Sequence, residues 1–210
     1  MLRRPPDHVK EHLLGTTALS GHRLTSETWR MHLWLLRHAK SSWDDPGLDD
    51  QDRPLAPRGE RAADRIRDHL EVEGIEPELV LCSSALRARQ TLARVLPSLG
   101  TALEVRIEPA LYTFDAAVLL DRLSQVSADV ASALLVGHNP AIQELAMRVA
   151  DRGDRLDDLS RKYPTAGLAE IALPSGSWDA LADRPGELTR FVMPRALGVG
   201  LLAITNSPQS

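Results

Sequence analysis

The chain has 210 residues, enough for one compact domain around a single core, since domains commonly run from about 50 to 250 residues. Its composition, 43% hydrophobic and 26% charged, excludes a disordered chain, and a formal net charge of -4 lacks the basic footprint of a nucleic-acid binder. One cysteine, Cys82, cannot form an internal disulfide, and no stretch approaches the roughly 18 apolar residues of a spanning helix; no membrane partner is expected, and a reducing cytoplasm is.

Residues 1–30 open with Arg3, Arg4, Pro5 and Pro6 but lack the continuous apolar run of a secretory signal. They read as an appendage before a clean strand pattern, with Met31 as an alternative start. From there short β-rich runs alternate with amphipathic segments. That is the pattern of a single α/β domain, residues 31–205, with a mostly parallel central sheet flanked by helices. Strands are expected at 32–36, 79–82, 104–107, 132–136, 169–173 and 190–193. Helices are expected at 59–72, where Ala63, Ile66 and Leu70 share a face, and at 86–96, 116–126 and 141–149, with Pro140 tolerated at the start of the last. The acidic run 44–52 holds Pro46 and Gly47 and reads as an exposed loop, either a solvated surface or a rim that repels anions. The polar stretch 151–164 is a loop or an irregular helix.

Trp34 to Lys40 put Arg37 and His38 at the carboxyl end of an apolar strand, where α/β folds place ligands. A lone histidine there is as a rule structural; the adjacent arginine strengthens a functional reading. A second strand ends at Cys82. Ser83 or Ser84 can cap the helix that follows, and Arg87 in its first turn leans back toward the same sheet edge. Taken alone, Arg87 is equally a surface residue. The third segment, Leu134 to Pro140, delivers His138 just before a helix whose amino terminus offers unpaired backbone donors to an anion, while Gly137 lets the backbone approach closely. Lys40 and Asn139, beside the two histidine segments, complete the substrate-binding set.

The run Leu35-Leu36-Arg37-His38-Ala39-Lys40, the Arg53-Pro54-Leu55 segment with Gly59, and residues 83–91 and 135–140 resemble the signature of the histidine phosphatase superfamily. In detail they look most like the SixA-type phosphohistidine phosphatases, over roughly residues 31–203. The resemblance implies that family's fold and a phosphate pocket of two arginines and two histidines, which carry over to Arg37, His38, Arg87 and His138. His38 then takes the phosphoryl group. Two departures stand out: Ala39 replaces a glycine found in much of the superfamily, and Asn139 occupies the position where acid phosphatases of the other branch have an acidic proton donor. Glu108, at the end of a predicted strand, is a substitute acid on one reading and a surface residue on the other.

In the implied reaction, neutral His38 attacks phosphorus through one ring nitrogen while a backbone carbonyl holds the proton of the other. Arg37, Arg87 and His138 stabilise the nonbridging oxygens, and water then attacks the phosphohistidine. No cofactor is called for, and no spaced ligand cluster suggests a metal. A cysteine-dependent phosphatase fails on spacing, because the position six residues after Cys82 is Ala88, with Arg87 and Arg89 to either side. A phosphate-binding module without turnover would have no need of a nucleophile. The expected substrate is a phosphohistidine-bearing protein, because the short chain has no long insertion to cap the pocket. Small phosphate esters, nucleotides or sugar phosphates, are the runner-up.

Overall fold

The computed structural model describes residues 29–174 and 176–198. The expectations for residues 1–28 and for 199–205 lie outside the described residues. Among the described residues, seven strands form one sheet in the order β3-β2-β4-β1-β6-β7-β5. They are β1 (Trp29–Arg37), β2 (Leu79–Ser83), β3 (Glu104–Glu108), β4 (Ser132–Gly137), β5 (Ala150–Arg152), β6 (Leu168–Pro174) and β7 (Gly186–Val192). The block β3-β2-β4-β1 is parallel throughout, β6 runs antiparallel to both β1 and β7, and β5 is parallel to β7.

Among the described residues the α-helices are α1 (Pro57–Glu73), α2 (Leu86–Val95), α3 (Ala116–Ser124), α4 (Ala141–Val149) and α5 (Leu156–Arg161). Side chains alternate across a strand, so β1 sends Leu33 and Leu35 to one face and Trp34 and Leu36 to the other. The first pair joins Leu119, Leu123, Ile142 and Leu145 of α3 and α4; the second joins Ala63, Ile66, Ala88 and Leu92 of α1 and α2. Buried on both faces, β2 and β4 are continuous apolar runs, as a parallel sheet covered by helices requires.

Three expectations need correction. Pairing of β1 with β6 continues past an irregularity from Met31 to Trp29, which pairs with Pro174, so the strand begins three residues before the start expected at 32. The polar stretch read as a loop or an irregular helix holds the short helix α5, which buries only Leu159, and it opens with the strand β5, which was not expected. β7 starts at Gly186, earlier than its most apolar residues suggest.

Among the described residues, no helix is long and apolar enough to cross a membrane. Helix α1 begins with Pro57 at its first turn and ends at Gly74, whose φ of 62° is the left-handed conformation that closes helices. Gly59 is required for a different reason: a Cβ there would lie 2.1 Å from the Lys40 carbonyl oxygen, which also accepts from the Ala56 N–H at 2.8 Å. This close approach ties the start of α1 to the segment following His38. Gly59→Ala is expected to destabilise the protein at the upper end of the about 1–3 kcal/mol typical of overpacking, read by urea unfolding. A variant as stable as the parent would show that the contact relaxes freely.

Candidate active site

The parallel block aligns three strand ends on one edge of the sheet. Val136 of β4 lies between Leu36 of β1 and Cys82 of β2, so Arg37-His38, Ser83 and Gly137-His138 all emerge one step further on. The His38 N–H donates to the Gly137 carbonyl at 3.0 Å, locking two of these ends together. The rings of His38 and His138 lie 4.9 Å apart, both almost wholly buried.

His38 Nδ1 is 2.7 Å from the carbonyl oxygen of Ala39. A carbonyl only accepts, so Nδ1 carries the hydrogen in the neutral ring and Nε2 is the unprotonated, nucleophilic nitrogen. The Ala39 backbone is itself fixed, donating its N–H to Thr91 Oγ1 at 2.9 Å, whose hydroxyl donates to the Arg87 carbonyl at 2.7 Å. Burial first, and then the neighbouring His138, Arg87 and Arg37, push the His38 pKa down to about 3. Burial and Arg87 push His138 down to about 4. Both rings are therefore neutral at neutral pH. His138 Nε2 lies 2.8 Å from Ser83 Oγ, leaving its Nδ1 buried and unpaired.

Arg37 donates to the Tyr163 carbonyl at 2.6 Å, and its Nε is buried without a partner. Tyr163 is buried and donates its hydroxyl to the Leu35 carbonyl at 2.6 Å, while the Ala166 N–H reaches the carbonyls of Arg37 and His38. The turn before β6 thus braces the end of β1. Arg87 is buried and is held on its outer side by Asp50, donating from one nitrogen to the Asp50 carbonyl and from the other to Oδ2 at 2.8 Å. The Asp50 carboxylate also accepts from Arg53 at 2.8 Å and from the Tyr112 hydroxyl at 2.7 Å. The Tyr112 hydrogen bond and the two guanidinium groups hold its pKa down at about 2 against a smaller opposing effect of burial. Asp50 uses two of five guanidinium donors, so Arg87 is oriented without being exhausted.

The four expected pocket residues, Arg37, His38, Arg87 and His138, therefore converge. The others do not join them as expected. Glu108 sits on the edge strand with both carboxylate oxygens engaged by Arg122 at 2.7 Å, an ion pair in place of a free acid. Asn139 donates to Gln143 at 3.0 Å, with its carbonyl oxygen buried and unpaired. Lys40 makes its defined contacts through its backbone. Ser83 is not the N-cap of α2, which is Ala85 without a side-chain bond; its hydroxyl accepts from the Ala85 N–H at 3.3 Å and also meets His138. At Gly137 the space a Cβ would need is limited by Ile142 and Leu135 at 3.3 Å, so helix packing suffices to explain this glycine. Cys82 is buried, and burial pushes its thiol up to about 12, which removes it as a nucleophile.

Asp50, Thr91 and Tyr163 are the supporting residues that sequence reasoning overlooked. Only Asp50 carried a signal, its place just before Arg53-Pro54-Leu55, and the surrounding acidic run masked it. Among the described residues, no group of three or more His, Cys, Asp or Glu side chains could hold a metal ion.

A family model for the histidine phosphatase superfamily (branch 1) matches residues 33–129. A relative from Mycobacterium leprae, described as uncharacterized, is 36% identical over 166 residues, covering 76% of this chain and all (100%) of the relative. A solved structure from Nakamurella multipartitia, described as SixA, is 30% identical and superimposes with a TM-score of 0.68 over 78% of this chain and 96% of its own. A SixA structure from Agrobacterium tumefaciens is 28% identical, with a TM-score of 0.66 over 79% of this chain and 100% of its own.

Two outcomes follow from this geometry. Unfolded histidine titrates near about 6.5, so both rings bind protons more weakly folded than unfolded. Their stability contribution is intact above that pH and is lost as pH falls toward about 3 for His38 and about 4 for His138. Imidazole resonances of both rings should still report the neutral form at about pH 5.5; titration near about 6.5 would contradict the burial argument. Asp50→Ala should lower kcat/KM toward phosphorylated substrates by about tenfold by releasing Arg87, on the scale of one charge-assisted hydrogen bond. Unchanged or improved kinetics would show that Arg87 needs no such support.

Proposed function

The chain belongs to the histidine phosphatase superfamily, and from that premise we propose that it is a phosphatase that forms a phosphoenzyme on His38 and takes protein-borne phosphohistidine as its substrate. The observation that carries this reading is the neutral His38 ring, its Nδ1 hydrogen fixed on Ala39 and its Nε2 left bare among Arg37, Arg87 and His138. Nε2 attacks phosphorus, the new P–N bond forms as the substrate's P–N bond breaks, and the departing imidazole takes a proton from solvent. Arg37 and Arg87 neutralise the nonbridging oxygens through a transition state that is mostly a matter of charge and position. Water then attacks the phosphorylated His38, releasing phosphate and restoring the ring. The lone, buried cysteine accords with a cytoplasmic enzyme.

The substrate follows from leaving-group chemistry. Asn139 stands next to His138, Glu108 is bound to Arg122, and Asp50, with a pKa of about 2, is ionised at neutral pH and carries no proton to give. An alkoxide, comparable in basicity to hydroxide from water at pKa about 15.7, leaves poorly without an acid. Imidazole, with a conjugate-acid pKa of about 6.5, leaves readily once protonated by solvent. A pocket of cations without an acid therefore favours phosphohistidine over alkyl phosphate esters.

The test is a comparison of kcat/KM for a phosphohistidine protein and a panel of sugar phosphates and nucleotides, with and without EDTA. Phosphohistidine should be preferred, EDTA should have no effect, vanadate should inhibit, and His38→Ala should abolish turnover and acid-labile phosphate on the protein. A preference for alkyl esters would overturn the substrate, and binding of phosphoprotein without turnover would overturn the enzyme. Glu108→Gln should leave the ratio between the two substrate classes unchanged, because its carboxylate serves Arg122; a selective loss on esters would restore it as an acid.

A further inference from the structure

The strand-end loop after β3 carries a feature that the phosphate chemistry does not use. Leu111 anchors it in the core, and the next aromatic residues, Tyr112 and Phe114, turn toward the site. Their rings meet His138 edge to face, with centroids at 5.4 Å for Tyr112 and 5.9 Å for Phe114, and lie 6.0 Å from each other. The segment is not slack. Tyr112 is tied to Asp50 by its hydroxyl, the Asp115 N–H donates to Thr113 Oγ1 at 3.1 Å, and the Asp115 carboxylate caps α3 through the Ala117 N–H at 2.8 Å.

Phe114 nonetheless leaves 52% of its surface in solvent beside a histidine that is 1% exposed. The chain has two phenylalanines and two tyrosines in all, so placing one of each here is a concentrated use of scarce rings. In a displacement at phosphorus the leaving group departs in line, away from the attacking nitrogen. Phe114 contacts His138 and is itself half exposed, so it borders the site beside His138, and a leaving group directed away from His38 on that side would meet its ring.

We propose that Phe114, steadied by Tyr112, forms the leaving-group wall of this site and selects flat, unsaturated leaving groups, the imidazole of phosphohistidine among them. The inference rests on the reading of the pocket as a phosphatase acting from His38 and adds the residue that senses what the phosphate is attached to. Offset or edge-on contact with Phe114 covers ring surface that water otherwise meets, and a leaving group without a ring gains nothing from it.

The test uses the full chain and two substrates that share a P–N bond: a phosphohistidine peptide, with a ring, and phosphoramidate, without one. Phe114→Ala should lower kcat/KM for the peptide by about two- to tenfold, mainly through KM, while phosphoramidate changes by less than about twofold, and Phe114→Tyr should restore the peptide rate. Circular dichroism and thermal unfolding of both variants establish that the fold is kept. Equal losses on both substrates, or no loss on the peptide, would overturn the wall while leaving the phosphatase intact. A wild-type protein inert toward both substrates would overturn the phosphatase reading itself, and the wall with it.

Discussion

The hydrogen bond from His38 Nδ1 to the Ala39 carbonyl is the interaction on which the site depends. An imidazole buried this deeply has no water to choose its tautomer, so the backbone chooses it, and the free electron pair is left on Nε2. The surroundings protect that choice. Ala39 is held by Thr91 from α2, the end of β1 is clasped by the Tyr163 turn, and the His38 N–H is spent on β4. Helices and strands distant in sequence thus fix one ring to a single orientation, the preorganisation that the proposed attack from Nε2 requires.

Cations packed around a neutral base create a second problem, because unopposed guanidinium groups in a buried pocket are costly to hold and free to swing. Asp50 answers it from outside. Its carboxylate joins Arg87, Arg53 and Tyr112, and its exposure lets water share the remaining charge. Arg37 is handled differently, by a neutral carbonyl from Tyr163. One arginine is steered by charge and the other by a dipole, so salt should perturb the first more than the second.

Much of this was legible in the sequence because the information is local. An apolar run ending in Arg37-His38, another ending in His138, and an arginine one turn into a helix each declare a strand end or helix start without knowledge of the partner. The parallel order brings them together, so the convergence of Arg37, His38, Arg87 and His138 was readable on that basis. The supporting residues were not, since Tyr163 holds Arg37 through a carbonyl that any residue could offer and reaches Leu35 with its hydroxyl across 128 positions, while Thr91 acts through a single hydroxyl that any threonine has. Glu108 illustrates the reverse error: it has the right chemistry and the right edge of the sheet, but Arg122, fourteen positions on and across a helix turn, claims it. The strand β5 escaped because three residues complete too little of any period, and the six of α5 left its stretch readable only as a loop or an irregular helix.

The pairing of His32 with Ser132 and of Met31 with Leu173 has a consequence for how the protein comes into being. The strand that ends at His38 must wait for residues 132–137 and 168–174 before either neighbour exists. Topologies dominated by such distant pairings have high contact order and fold slowly. During synthesis the segment around His38 leaves the ribosome as an apolar run with nothing beside it, open to misassociation until β4 arrives. The His38 ring is neither aimed nor shielded in that interval, so the pocket takes shape only once β4 and His138 have been made.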